Sequence, residues 1–351
     1  MKTYGFLMAR AIAAAAAVLA LMGQAQAAPS TYHVQIISPP AGYDSLFPMG
    51  MNEAGDVVGN AGSDPFDPLA TPVLYTGGRL VELTRPTDSL NFALGVAGPD
   101  LIAGTSSNQP YVWRDGRPVL LQPAGGLPAG FAYDASLSGA IVGAVYNDIT
   151  GSQFPVLWPD ADSPGILLRG LRGVAEGAAF TINGRGQIGG AAGGTGSFFG
   201  ARWDGPRRAP RKIGPLPGAV NSEVLDLNEL GDAVGRSGYA DNSVEAMLYV
   251  DATRELIGLG FLMGSYSYAN AVNDARQVVG TANAGGVVHA FLWQDGSLHD
   301  LNDLVASSSE PFEYLSNAVA IDNQGRIAAE AVVLSGFGTA TRLALLTPVT
   351  P

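Results

Sequence analysis

The sequence predicts an all-β protein built as a seven-bladed β-propeller, and three observations support that fold class. A segment of about 45 residues recurs seven times, each copy carries signals for four short strands, and no stretch shows the apolar period of a helix. Four strands in about 45 residues is the size of one propeller blade. An open β-solenoid made of the same repeats is the alternative arrangement.

Each repeat is anchored on a small residue that closes a short apolar run. The anchors are Gly59, Gly104, Gly143, Gly190, Gly235, Gly280 and Ala329. Seven residues earlier stand Asn52, Ala97, Ser136, Asn183, Asn228, Asn273 and Asp322. Asn, Asp or Ser favours the first position of a type I turn, and the glycine found three residues later in five copies favours the bulge that closes a hairpin. The pattern therefore predicts a tight hairpin between the first and second strands of each repeat.

The third predicted strand of six repeats ends in a large aromatic side chain. These residues are Tyr75, Trp113, Trp158, Trp203, Tyr249 and Trp293. A recurring aromatic is typical of packing between blades, although an aromatic girdle that docks a cofactor would use the same spacing.

The two ends of the repeat array complement each other. The seventh repeat has three predicted strands, Ala318–Ile321, Arg326–Leu334 and Thr341–Leu346, and no fourth. A lone strand, Thr31–Ile37, precedes the first repeat. If this strand becomes the outer strand of the last blade, the ring closes and both open edges disappear. We therefore expect a velcro closure of the propeller by the N-terminal strand.

Residues 1–27 have the pattern of a secretory signal peptide, which leaves residues 28–351 as a single propeller domain. Lys2 and Arg10 flank the positive region, residues 11–22 form a short apolar core, and a small-x-small motif precedes Ala28. We expect a bacterial protein that is exported to the periplasm or the exterior, with no membrane span after cleavage. The remaining chain has 17 basic and 31 acidic residues, a formal net charge of −14, which argues against nucleic acid as a partner.

The sixth repeat carries the resemblance to a known family. It contains Asn270-Ala271-Val272-Asn273-Asp274, then Gln277-Val278-Val279-Gly280, and then His289-Ala290-Phe291. This sequence closely resembles the HAF repeat of probable extracellular bacterial proteins, which is named for its His-Ala-Phe triplet. The resemblance spans nearly all of the chain after residue 27 but is strong only in this repeat. It implies export and a repeat architecture, and it brings no reaction, cofactor or catalytic residue.

The sequence holds few of the residues that catalysis or metal binding requires. Cysteine is absent, only three histidines are present (His33, His289 and His299), and no nucleophile elbow, zinc-protease or phosphate-loop motif occurs. We interpret the glycine-rich stretch Gly189–Gly196 as a flexible loop. The segment Asp226–Gly231 half-resembles a calcium loop, but Leu230 stands where an oxygen ligand is needed. We expect no catalytic site, no resident metal and no cofactor, with Ca²⁺ only weakly supported.

The loops between strands differ in length in a way that indicates a binding face. Connections from the second to the third strand, and from the fourth to the next first strand, are long and divergent, and in a propeller these two classes emerge on one face. We expect their aromatic and acidic residues to be exposed and to bind a ligand. The candidates are Tyr43, Asp64, Asp67, Tyr133, Tyr146, Asp148, Tyr239, Asp241, Tyr266, Glu313 and Tyr314.

The predicted function is a secreted, non-enzymatic binding or interaction module that uses this face, with a glycan or another protein as its partner. One alternative is a glycan lyase or hydrolase with carboxylates at the channel mouth, which would require two carboxylates with perturbed pKa values in one pocket. Another alternative is a structural protein of the cell surface or matrix, which would self-associate and bind no ligand.

Overall fold

In the computed structural model, the repeats form seven antiparallel sheets around a central channel, which is the seven-bladed β-propeller that the sequence predicts. The structure describes residues 30–194, 197–336 and 338–349. The predicted signal peptide therefore lies outside the described residues. The ring belongs to the unit that begins at Thr31.

The strands of the first three blades follow one another in sequence order from the channel outward. Blade 1 contains β2 (Ser45–Met51), β3 (Val57–Gly62), β4 (Thr71–Thr76) and β5 (Arg79–Glu82). Blade 2 contains β6 (Asn91–Gly98), β7 (Leu101–Ser106), β8 (Gln109–Arg114) and β9 (Arg117–Leu120). Blade 3 contains β10 (Gly130–Ala135), β11 (Ile141–Tyr146), β12 (Gln153–Trp158) and β13 (Ile166–Leu167).

The next three blades repeat this order, with one 3₁₀-helix at Leu171–Gly173 before blade 4. Blade 4 contains β14 (Gly177–Ile182), β15 (Ile188–Gly194), β16 (Ser197–Trp203) and β17 (Arg211–Ile213). Blade 5 contains β18 (Asn221–Leu227), β19 (Ala233–Gly238), β20 (Val244–Val250) and β21 (Glu255–Gly260). Blade 6 contains β22 (Ser267–Val272), β23 (Val278–Asn283), β24 (Val288–Gln294) and β25 (Ser297–Asp300).

Blade 7 closes the ring with strands from both ends of the chain. It contains β27 (Tyr314–Ile321), β28 (Ile327–Ser335), β29 (Gly338–Val349) and β1 (Thr31–Ile37). β1 pairs antiparallel with β29 over its whole length, from Thr31 opposite Val349 to Ile37 opposite Leu343. A fifth strand that the sequence did not predict, β26 (Val305–Ser308), follows a second 3₁₀-helix (Leu301–Leu304) and pairs parallel with β1 on its outer side. The predicted velcro strand thus has the predicted bounds.

The recurring aromatic residues pack in the core. Trp113, Trp158 and Trp203 have at most 1% of their surface exposed, and each indole N–H donates a 2.7 Å hydrogen bond to a carbonyl in the connection that enters its own blade. Because a buried indole needs a partner for its N–H, these bonds fix each connection against its blade.

The glycine-rich stretch of blade 4 is a strand, so the prediction of a flexible loop over Gly189–Gly196 is wrong for the part that is described. Residues 189–194 belong to β15. A Cβ atom on Gly190 would lie 2.1 Å from the Ala178 carbonyl oxygen, and one on Gly189 would lie 2.8 Å from a Val224 methyl of blade 5. Glycine is needed here because neighbouring strands approach too closely for a side chain, and the chain needs no flexibility at this point.

Candidate functional site

The propeller has two faces that differ in how its strands are connected. The turn face holds the tight turns from first to second and from third to fourth strands. The long-loop face holds the connections from second to third strands and from fourth strands to the next blade. The connections from fourth strands to the next blade are long throughout, as predicted. Those from second to third strands range from two residues in blade 2 (107–108) to eight in blade 1 (63–70), so the predicted length holds for only part of that class.

On the turn face, the hairpin asparagines of blades 1, 4, 5 and 6 each link their blade to the next. The Asn228 side-chain oxygen accepts the N–H groups of Leu230 and Asp232 at 3.0 and 2.9 Å, which shapes its own turn. Its amide donates to the Asn273 carbonyl of blade 6 at 3.1 Å. Asn52, Asn183 and Asn273 make the same bond to the following blade.

The residues that follow these asparagines form a second chain of bonds around the turn face. The N–H groups of Gly184, Glu229, Asp274 and Asn323 each donate to a side-chain oxygen of the next blade, at 2.6 to 3.0 Å. The last bond reaches Glu53 of blade 1 and so crosses the point of ring closure. Blades 2 and 3 carry Gly98 and Leu137 at the corresponding positions, and neither side chain can accept such a bond.

The channel opens on the turn face into a pocket of about 580 Å³. The last residue of every innermost strand contributes to its wall, from Met51 in blade 1 to Ile321 in blade 7. Six carboxylates line it: Glu53, Asp56, Asp134, Asp226, Glu229 and Asp274. Among the described residues that line it, none is Lys, Arg or His. The pocket therefore combines an apolar wall with a cluster of acidic side chains.

Two of these carboxylates, Asp134 and Asp226, lie on either side of Thr181 of blade 4 inside the channel. The Thr181 hydroxyl donates to Asp226 of blade 5 at 3.1 Å, and Asp134 belongs to blade 3. The second oxygen of each carboxylate accepts a backbone N–H of the following blade at 2.9 Å, from Ile182 and Val272 respectively. Each aspartate therefore ties neighbouring innermost strands together.

Burial raises the pKa of both aspartates. The pKa of Asp134 rises to about 7, because desolvation outweighs the hydrogen bonds from the N–H groups of Ile182 and Ala135, and the charge of Asp226 adds to the effect. Desolvation raises the pKa of Asp226 as well, against the bond from the Val272 N–H. Sequence reasoning missed this pair. The available signal was that aspartate occupies a position in the first strand where four other blades have Gly or Ala.

The predicted ligand residues are spread around the ring and do not form one site. Eight of them lie in connections of the long-loop face: Tyr43, Asp64, Asp67, Asp148, Tyr239, Asp241, Tyr266 and Glu313. Tyr146 ends β11 and Tyr314 begins β27, so both lie at the border of that face. Tyr133 is not a loop residue. It occupies a bulge in the innermost strand β10 and lines the channel.

The prediction that the tyrosines are exposed is wrong, since all six are half-buried. The Tyr43 hydroxyl bonds to that of Thr71, and the Tyr239 hydroxyl donates to Glu245 at 2.8 Å. Tyr133 packs between Phe131 and Phe180 with ring centroids 5.7 and 5.4 Å away. Tyr266 lies 4.6 Å from Tyr268, and Tyr314 lies 5.4 Å from His289.

Three of the predicted carboxylates shape their own loops. Asp67 accepts the N–H groups of Ser63 and Leu69 at 2.9 and 2.8 Å, and the bond from the Ser63 N–H is the main cause that lowers its pKa. Asp241 accepts the hydroxyl and N–H of Ser243, which lowers its pKa in the same way. Asp64 accepts the N–H of Phe66 at 2.9 Å. These side chains stabilise turns.

Large apolar side chains are concentrated on the long-loop face instead. Its connections and the strand ends beside them expose Phe66, Leu69, Ile149, Val174, Phe198, Val220, Phe261, Met263, Val287, Val288 and Leu334. Ile149 is 95% exposed and Leu334 is 73% exposed. The turn face exposes Leu137, Leu230 and Val349. Sequence reasoning selected aromatic and acidic residues on this face and overlooked the aliphatic ones.

A groove of about 420 Å³ lies on the long-loop face at blades 4 and 5. Phe198, Asn221, Glu223, Arg236 and Tyr239 are among the residues that line it. Of the predicted ligand residues only Tyr239 lines this groove. Within the described part of the chain, no group of three or more His, Cys, Asp or Glu side chains is placed to hold a metal ion.

Comparison with known proteins identifies the fold and no family. No family model and no curated protein matches this chain. It is similar to the solved structure of YCF48 bound to D1 peptide, with a TM-score of 0.54 and 12% identity over 92% of this chain and 96% of that one. It is also similar to a putative TolB from Agrobacterium tumefaciens, with a TM-score of 0.50 and 11% identity over 77% of this chain and 95% of that one.

A third similar structure is the β-propeller domain of the Trilobed protease from Pyrococcus furiosus, which is described as having an open velcro topology. The TM-score is 0.50, with 10% identity over 89% of this chain and 97% of that one. At these identities the comparisons show the propeller fold alone. The resemblance to the HAF repeat stays a prediction. None of the helices in the described ranges is long and apolar enough to cross a membrane.

Proposed function

We propose that the protein is an exported, non-enzymatic binding module that contacts a protein partner through its long-loop face. The observation that carries this proposal is the concentration of exposed large apolar side chains on that face. Single exposed apolar residues are ordinary, but a set gathered on one face is typical of a protein-interaction surface.

The charge of the same face specifies the partner further. By sequence, its connections carry ten acidic residues (Asp44, Asp64, Asp67, Asp88, Asp148, Glu176, Asp241, Asp303, Glu310 and Glu313) and three arginines (Arg85, Arg169 and Arg172). The complementary partner surface combines apolar with basic side chains. One structural neighbour is described as bound to a peptide, which agrees with a polypeptide ligand.

Selection of peptides from a random displayed library, followed by calorimetry with the selected synthetic peptides, tests the proposal. We expect peptides that combine apolar residues with Lys or Arg, and at least tenfold weaker binding to the Ile149→Asp, Leu334→Asp double variant. The matched control is Leu137→Asp, which adds a charge at an exposed leucine of the turn face (84% exposed) and should leave affinity within twofold. Peptides whose binding is lost in the control and kept in the double variant would contradict the proposal.

A second candidate function, cleavage of a glycan, is supported by the convergence of Asp134 and Asp226. A carboxyl group with a raised pKa can act as a general acid near neutral pH, and a second carboxylate can act as a base. Against this role, both of these carboxylates already accept hydrogen bonds from backbone N–H groups. If the protein cleaves a glycan, incubation with a panel of polysaccharides yields new reducing ends or unsaturated products. The Asp134→Asn and Asp226→Asn variants should form none of these products, and the control variant Asp274→Asn should still form them. A panel without products removes this candidate.

A further inference from the structure

We infer that the groove at blades 4 and 5 is a binding site for a pyranose ring of a neutral glycan. This site shares Phe198 with the exposed apolar residues of the long-loop face, but it includes neither Ile149 nor Leu334, whose variants test the proposed protein contact. Its volume of about 420 Å³ lies within the roughly 300–1,000 Å³ that small-molecule sites occupy.

A fixed pair of charged groups supplies the hydrogen bonds. Arg236 donates to Oε2 of Glu223 through Nε at 2.9 Å, and its Nη2 lies 2.6 Å from the same oxygen. Among the described residues, nothing bonds to Glu223 Oε1 or to Arg236 Nη1. One hydroxyl of a sugar can donate to this free oxygen while a neighbouring hydroxyl accepts from the free guanidinium nitrogen.

The pair is held in place before any ligand arrives. The guanidinium carbon of Arg236 lies 4.5 Å from the centroid of the Tyr268 ring of blade 6, and this cation–π contact helps to hold the side chain in position. Glu223 and Arg236 occupy paired positions on β18 and β19, where sheet hydrogen bonds fix both backbones. A donor and an acceptor on two rigid strands lose little conformational freedom when a ligand binds.

Aromatic side chains provide the apolar part of the site. Phe198, at the start of β16, is 36% exposed, and its ring lines the groove together with that of Tyr239. The Tyr239 hydroxyl donates to Glu245 at 2.8 Å, which holds the ring in position. Burial is the main cause that raises the pKa of Tyr239 to about 12, and the bond to the Glu245 carboxylate adds to it. The Tyr239 hydroxyl therefore stays neutral. The C–H face of a pyranose packs on such rings.

The charge balance of the groove selects a neutral ligand. Glu223 and Arg236 cancel, and no further charged side chain is among the described lining residues. An inorganic anion would meet the Glu223 carboxylate, and an organic cation would meet the Arg236 guanidinium. A ligand whose polar groups are hydroxyls uses both without leaving either charge unpaired.

Calorimetric titration of the protein with neutral hexasaccharides tests this inference, using gluco-, manno-, galacto-, xylo- and N-acetylglucosamine series. We expect at least one series to bind, and the double variant Glu223→Gln, Arg236→Gln to bind it at least tenfold more weakly. The matched control is Arg114→Gln with Asp162→Asn, which removes another ion pair at 2.7 Å on the outer part of the ring and should bind normally.

Two results would overturn the inference: no binding by any of the five series, or equal affinity for the wild type and the groove variant. Circular dichroism melting of the groove variant separates lost binding from lost folding. A Phe198→Ala variant, altered at a partly exposed side chain, gives a second readout and should also weaken binding. The Ile149→Asp, Leu334→Asp variant should bind the glycan normally, so failure of the protein-contact proposal and failure of the glycan site give different results.

Discussion

The turn face and the long-loop face are two edges of the same strands, yet they differ in how their polar and apolar groups are used. On the turn face, side-chain amides and carboxylates bond the backbone of the neighbouring blade, from Gly184 through Asn323 to Glu53. On the long-loop face, carboxylates such as Asp67 bond within their own loop, and apolar side chains extend into solvent. The turn face therefore holds the blades together, and the long-loop face is free to vary and to bind.

The largest expected effect comes from removal of β1, which runs between both faces. Deletion of residues 28–37 takes Tyr32, Val34 and Ile36 out of the core of blade 7 and exposes β29 as an edge. Burial of each such side chain stabilises by about 1.5–3 kcal/mol, so we expect a loss of more than about 5 kcal/mol in the free energy of unfolding. Urea unfolding followed by tryptophan fluorescence measures it. Gln35→Ser, an exposed change on the same strand, should leave the midpoint unchanged, and an equally stable deletion variant would disprove velcro closure.

A smaller effect should distinguish the hydrogen bonds of the two faces. Asn228→Ala removes four bonds of a 5%-exposed side chain on the turn face and leaves Asp232 and Asn273 with fewer partners. We expect a loss of about 2–3 kcal/mol. Ser243→Ala, which removes the hydroxyl bonded to Asp241 on the long-loop face, should cost less than about 0.5 kcal/mol. Similar losses in urea titrations of the two variants would contradict the division of roles.

The channel aspartates should make stability fall as pH rises. The pKa of Asp134 is raised from 3.8 to about 7 in the folded state, so the folded protein binds a proton that the unfolded chain releases. The free energy of unfolding should therefore decrease between about pH 4 and pH 7, with a slope of up to about 1.4 kcal/mol per pH unit for this group, and level off above pH 7. Asp134→Asn should flatten the dependence measured by thermal melts. Asp148→Asn, in an exposed loop, should leave it unchanged, and a wild type that gains stability with rising pH would show that the aspartates do not dominate.

The smallest effects belong to the exposed apolar residues. Ile149→Ser and Leu334→Ser should each change the free energy of unfolding by less than about 0.5 kcal/mol, because their side chains are 95% and 73% exposed. Differential calorimetry measures both. A loss of more than about 1 kcal/mol would mean that these residues stabilise the fold, and their value as evidence for a partner would disappear.

Most of the fold could be predicted because it depends on short-range signals. The recurring turn and anchor positions, most of them Asn and Gly, locate the hairpins, and the lone strand Thr31–Ile37 was predicted with the bounds that the structure shows. The strand β26 was missed because its run Val305–Ser308 is short and outward-facing, so its pattern differs little from that of a loop.

The candidate sites could be predicted less well because they depend on which blades become neighbours. Asp134 and Asp226 are 92 positions apart, and the charge of one acts on the other only because blades 3 and 5 both flank blade 4. Glu223 and Arg236 lie within one blade, but the Tyr268 ring that contacts the Arg236 guanidinium belongs to the next blade. The tyrosines were expected to be exposed because loop position was taken as exposure, whereas their hydroxyls and rings find partners in neighbouring strands.

The pairing of β1 with β29 sets the order in which this molecule can form. Val34 and Leu346 are partners across more than 300 residues of chain. Hairpins within a blade close loops of a few residues at little entropic cost, whereas this contact requires almost the whole ring to be ordered first. Six blades can therefore form as local units during folding, and the seventh is completed last. Until that step the β29 edge is unpaired, which makes the unclosed ring the species most open to aggregation and domain exchange.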